Sequence, residues 1–125
     1  MSYTIKNLRD VDDVAPRFGF DSVQEARFPW RALDAEQTGL AYHVIKPGQR
    51  GKAHRHQQAE EIYVVLGGGG RVSLDGEIAE LRPLDALRVA PQVARAFEAG
   101  PEGLQLLAFG PHYERDGEFV DDDPW

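Results

Sequence analysis

Residues 47–70 read PGQRGKAHRHQQAEEIYVVLGGGG, and the rest of the 125-residue chain is organised around them. The stretch opens on a Pro-Gly turn signal, passes through His54 and His56, reaches the Glu60–Glu61 pair and closes in an apolar run with four glycines. In an extended strand residues i and i+2 project from one face, so His54 and His56 would point into the same space. Two imidazoles and a carboxylate form a ligand set that suits a divalent ion such as Fe, Mn, Ni or Zn and leaves positions open for water or substrate. The run Ile62–Leu66 is apolar throughout, which predicts a central strand covered on both faces.

Outward from this stretch the chain reads as short strands. Eight prolines and thirteen glycines interrupt it about once every six residues, leaving little room for a helix of ordinary length. Upstream, GLAYHVIKPG (39–48) is β-prone and ends at a turn. Downstream, RVSLDG (71–76) carries the Asp75-Gly76 hairpin signal before EIAEL (77–81). Further strands are expected at Ala86–Ala90, Arg95–Ala99 and Leu104–Phe109, the last two separated by a GPEG turn. Gly67–Gly70 lacks the GK[ST] and helix of a phosphate loop and reads as a turn or bulge between strands. Tyr3–Leu8 predicts a first strand, Ser22–Ala26 either a helical turn or a strand, and Leu33–Thr38 a loop. Strands at this spacing predict an antiparallel all-β sandwich or barrel. Three segments follow: N-terminal strands and extension over 1–38, a barrel core over 39–110, and an acidic tail over 111–125. A solvated tail is expected from its charge. The other reading docks Phe119, Val120 and Trp125 on the barrel or on a second subunit.

Composition excludes several classes of function. There is no cysteine, so disulfides and thiolate metal sites are ruled out. A net charge of -7 disfavours nucleic acid and anionic membranes, which are bound by clustered Lys and Arg. The first residues lack the basic stretch and apolar core of a signal peptide, and a soluble, cytoplasmic protein is expected.

The spacing of Gly48, His54, His56, Glu61 and Gly68 resembles the first motif of the cupin superfamily, small barrels of the double-stranded β-helix or jelly-roll type. Glu60 with Gly67 fits a variant of the same motif one residue shorter. Glu61, directly before the apolar strand, is the expected metal ligand. The second motif ordinarily supplies another metal-binding histidine, but residues 76–100 contain no histidine. Alignment of Ala90-Pro91-Gln92 with its Pro-x-Gly puts Arg95 at that position, and a shift of one residue puts Ala96 there. The resemblance implies a divalent metal on His54, His56 and Glu61, a small-molecule ligand and a homodimer. It implies either a metal-dependent oxygenase or isomerase acting on a small metabolite, or a non-catalytic, metal-free binding or structural barrel.

Arg95 bears on that choice. A guanidinium about 6 Å from a divalent ion is repelled by on the order of 5 kcal/mol at an effective dielectric of about 20. Pointing inward, it would weaken a metal, pair with Glu61 or fork onto an anionic ligand; pointing outward, it would be solvated. His43, Tyr63, Phe97 and Glu60 are further candidates for the pocket. His112 is expected at the surface or in a subunit contact.

Overall fold

The computed structural model describes residues 2–125, and their architecture is all-β with every strand pairing antiparallel. The strands are β1 (Gln24–Arg27), β2 (Gly39–Ile45), β3 (His54–His56), β4 (Glu61–Leu74), β5 (Glu77–Leu81), β6 (Ala86–Val89), β7 (Arg95–Gly110) and β8 (Gly117–Phe119). Two long strands carry the fold. β4 and β7 pair along their length, from Ile62 opposite Phe109 to Leu74 opposite Arg95. β2 then extends the far half of β7 and β3 meets its near half, while β6 and β5 flank the two halves of β4. The sheet curls into a jelly-roll barrel whose inner face carries the core, including Tyr63, Val65, Val72, Phe97, Leu104 and Leu106.

The glycine run belongs inside a strand. Of the turn and the bulge expected at Gly67–Gly70 the bulge is right, though within one strand: β4 continues through it with register shifts between Val65 and Gly67 and between Gly68 and Gly70. A Cβ on Gly68 would lie 2.0 Å from the Gly103 carbonyl oxygen, and one on Gly70 would lie 1.9 Å from that of Glu98. Only glycine allows the two backbones to approach this closely while the strand bends. The expected GPEG turn is likewise contained within the continuous β7.

Two other expectations are corrected and one open choice is decided. Ile62–Leu66 alternates, with Tyr63 and Val65 buried and Ile62 and Leu66 exposed, because one face of β4 looks outward. Tyr3–Leu8 forms no strand: Tyr3 and Ile5 are exposed, and Leu8–Asp10 is a single 3-10 turn whose Asn7 side chain accepts from the Arg9 amide at 2.9 Å. Of the two readings of Ser22–Ala26 the strand is right, as β1 pairs with β2 from Gln24↔Ile45 to Arg27↔Tyr42.

The acidic tail is structured. β8 pairs with β3, placing Gly117 opposite His56 and Phe119 opposite His54, and the Val120 amide donates to the Ala53 carbonyl at 2.9 Å. Beyond it the buried Ser73 hydroxyl donates to the Pro124 carbonyl at 2.6 Å. The Trp125 ring lies against the guanidinium carbons of Arg50 and Arg71, 5.0 and 5.4 Å from its centroid. The docked reading of Phe119, Val120 and Trp125 therefore holds within one chain, while the tail's acidic residues other than Asp116 stay exposed to solvent as their charge implies. Among the described residues no helix is long and apolar enough to cross a membrane.

Candidate metal and small-molecule site

β3 is three residues long, so His54 and His56 share one face of it as the spacing demands. That face meets the start of β4, where the pleat turns Glu61 inward. Glu60, one residue earlier, takes the opposite side: it is exposed and pairs with Arg88 at 3.3 Å. Glu60 is thereby removed from the pocket, and the choice between the two glutamates falls on Glu61.

The nitrogen and oxygen atoms that His54, His56 and Glu61 can offer lie within 4.8 Å of one another, a group able to hold a metal ion. Glu61 Oε1 is 3.1 Å from His56 Nε2 and 3.7 Å from His54 Nε2. Donors about 2.1 Å from one ion are separated by roughly 3.0 Å at right angles and roughly 3.4 Å in a tetrahedron, so these spacings suit a shared cation. His56 supplies an independent test of fit. Its Nδ1 lies 3.1 Å from Asp116 Oδ2, and a carboxylate can only accept, so Nδ1 carries the proton. In the neutral ring Nε2 then turns a lone pair toward Glu61 Oε1 and this buried atom has no hydrogen-bond partner, whereas a second proton would make it a donor to Glu61. Two acceptors facing each other at this distance need a cation or a proton between them.

The electrostatics centre on Glu61 Oε1. It accepts from the Tyr63 hydroxyl at 2.5 Å, and Arg95 Nη1 lies 3.7 Å away. Burial alone would raise the Glu61 pKa, but hydrogen bonding from His54, His56 and Tyr63 outweighs it and holds the carboxyl well below the usual range. In the protonated ring the hydrogen bond from Nε2 to Glu61 favours the charge and raises the His56 pKa, with burial and the Arg95 charge opposing. Burial, assisted by the Glu61 charge, raises the Tyr63 phenol well above its usual value, so it remains a donor.

Asp116 is the functional residue that the sequence hid. It is buried, and its two oxygens accept the Gln58 and Ala59 amides at 2.8 and 3.0 Å as well as His56. Burial raises its pKa, but the two amides and His56 more than offset this and keep it ionised. Sixty residues separate Asp116 from His56, and only the return of β8 onto β3 brings them together.

Arg95 points inward. Its side chain is fully buried, Nη2 donates to the Ala90 carbonyl at 2.9 Å, and Nε and Nη1 have no hydrogen-bond partners. Its backbone lies opposite His54, so the guanidinium approaches the site from β7 and meets Glu61.

The His54, His56 and Glu61 side chains line one end of a cavity of about 310 Å3 with predominantly apolar walls, including Phe20, Phe28, Phe97 and Phe119. Tyr63 and His43 also line it; the Tyr63 ring packs on Phe97 with centroids 4.9 Å apart. Its one lysine, Lys52, is paired with Asp121 at 3.2 Å. His56 and Glu61 also border a second cavity lined by Trp30, His112 and Tyr113, in which the exposed His112 stacks on Trp30 at 4.2 Å.

An eight-stranded jelly-roll barrel with a His-His-Glu cluster at the inner end of an apolar cavity defines the class of protein. The cupin-domain family pattern matches residues 41–110, and the chain belongs to the cupin family. An uncharacterized protein of Methanocaldococcus jannaschii is 29% identical over 85 residues, covering 66% of this chain and 68% of that protein. Among solved structures, the polyketide cyclase RemF from Streptomyces resistomycificus superposes with a TM-score of 0.78 at 19% identity, covering 96% of this chain and 87% of the other. A sugar phosphate isomerase from Silicibacter pomeroyi does so with 0.77 at 17% identity, covering 96% and 83%. At these identities the two structures share the fold.

Proposed function

We propose that this chain holds a divalent metal ion on His54, His56 and Glu61 and binds a small metabolite in the adjoining cavity as an isomerase or oxygenase. The observation that carries the reading is His56, anchored at Nδ1 by Asp116 and aiming a bare, buried Nε2 at Glu61. A divalent ion bound there would polarise an oxygen of the ligand. The chain's own contribution is positional: Tyr63 holds the Glu61 carboxylate by its hydroxyl, and Asp116 fixes the ring of His56. Phe97 and the other apolar walls would, with a ligand covering them, keep water from the charged end and strengthen the interactions there.

The activity named for the Silicibacter pomeroyi structure makes a demand on these walls that can be checked. A sugar phosphate needs free cations, whereas Lys52, the one lysine of the lining, is paired with Asp121 and Arg95 is not part of the lining. The lining favours a less polar substrate.

Elemental analysis of protein purified without a histidine tag tests the reading. Near-stoichiometric metal, lost in the His54→Ala, His56→Ala double variant, is expected; wild-type protein that neither contains nor takes up a divalent ion would overturn it. One observation favours a second reading, a metal-free binding protein: the buried Arg95 charge already balances Glu61. A homodimer is also proposed, for which the exposed Ile62, Leu66 and Ile78 on β4 and β5 offer apolar surface; sedimentation would then give twice 13.9 kDa.

A further inference from the structure

The walls of the cavity say more about its occupant than the metal-binding end does. Phenylalanines from four separate segments converge on it: Phe20 after the 3-10 turn Ala15–Phe18, Phe28 after β1, Phe97 from β7 and Phe119 from β8. Phe20 and Phe119 meet edge to face at 5.6 Å, and Phe28 meets the His43 ring in the same way at 5.7 Å. Phe28 and Phe119 remain 42% and 54% exposed, so apolar ring surface is left for a ligand to cover.

Gln24 and His43 add polarity to the wall formed by β1 and β2. Gln24 Nε2 lies 3.3 Å from His43 Nδ1 and 3.5 Å from the Glu25 carbonyl oxygen, two acceptors toward which one amide NH2 can point. An amide nitrogen can only donate, so His43 Nδ1 accepts and the ring proton is on Nε2. Burial, with the nearby His54 adding to it and Glu61 opposing, pushes the His43 pKa down to about 4. The ring is therefore a neutral N–H donor at ordinary pH.

We propose that the cavity takes a planar, ring-bearing molecule with an acceptor oxygen, the ring lying among the phenylalanines and the oxygen accepting from His43 Nε2–H. His43 is then the residue that selects oxygenated ligands over plain hydrocarbons. The inference rests on reading the cavity as a small-molecule site, but it does not need the metal. A cavity of about 310 Å3 falls at the small end of such sites, which run from roughly 300 to 1,000 Å3.

The test is isothermal titration of EDTA-treated full-length protein with 2-acetylnaphthalene and with 2-isopropenylnaphthalene, in which a CH2 group replaces the carbonyl oxygen. Glucose 6-phosphate serves as a third probe. The ketone should bind about fivefold to tenfold tighter than the alkene, the worth of one hydrogen bond, and the sugar phosphate should not bind. In His43→Leu the two naphthalenes should bind within about twofold of each other, and His43→Gln, which keeps an N–H donor, should recover part of the preference. Equal binding of ketone and alkene to wild-type protein would overturn the role of His43 while leaving the cavity as a small-molecule site. Failure of both naphthalenes, or glucose 6-phosphate binding as tightly as the ketone, would overturn the ligand class. The metal content of the untreated protein decides the metal reading separately.

Discussion

The two sides of the site solve different problems with similar backbone. From β3 and the start of β4 come His54, His56 and Glu61, three groups able to share a cation. Opposite His54, β7 offers Arg95, a permanent cation buried with two nitrogens unpartnered. The first side needs a positive charge among its donors and the second side already supplies one nearby. Glu61 stands between them, 3.1 Å from His56 and 3.7 Å from Arg95. On electrostatic grounds charge balance as well as ligand count would set how tightly such a site holds a metal: Arg95 would stabilise the empty site through Glu61 and oppose a filled one.

The harshest way to break this arrangement is to remove the shared carboxylate. Glu61→Gln leaves Arg95 buried without an anion beside it, and urea denaturation should show a loss of roughly 3 kcal/mol, together with loss of metal. Making the two sides alike comes next. Arg95→His removes the opposing charge and adds a donor, and chelator competition should show divalent metal bound roughly 100-fold tighter than by wild type. Arg95→Met, which removes the charge alone, should yield a smaller gain. Asp116→Asn tests the anchor on the histidine side: an amide cannot orient His56 Nδ1–H as a carboxylate does, and metal affinity should fall about tenfold with modest change in stability.

The smallest effect concerns the solvent face of β7. Hydrogen bonding from Arg71 and then Arg50 lowers Glu98 from 4.5 to about 2. A carboxyl depressed on folding contributes stability above its unfolded pKa and loses it as pH falls through the folded value. Wild type should therefore lose a small contribution between about pH 4.5 and about pH 2, monitored by fluorescence of Trp125 against Arg50 and Arg71, and Glu98→Gln should flatten that part of the profile.

The half of the site on β3 and β4 was legible because its information is local: two histidines at strand spacing, and a glutamate whose inward face follows from the pleat. The all-β class was legible from turn signals, and β2 from its β-prone run. What the sequence concealed depends on distant contacts. Asp116 looked like one of many tail acids because its partners, His56, Gln58 and Ala59, lie some sixty residues earlier. Gly67–Gly70 read as a turn or a bulge between two strands, and the turn could not be dismissed because the glycines serve the approach of β7, which local sequence does not display. Ile62–Leu66 looked two-sided because an apolar residue facing outward reads the same as one facing inward. For Arg95 the composition of the segment was plain, but a one-residue uncertainty in alignment decided whether arginine or alanine faced the site, and pairing with His54 resolves it.

X-ray absorption spectroscopy of the protein loaded with one equivalent of Zn is the most direct test of the His54, His56 and Glu61 centre. Two imidazole nitrogens with one or more oxygens about 2.0–2.2 Å from the ion, both imidazoles disappearing in the His54→Ala, His56→Ala variant, is the expected result. A shell of oxygens alone, or a spectrum unchanged in that variant, would contradict it.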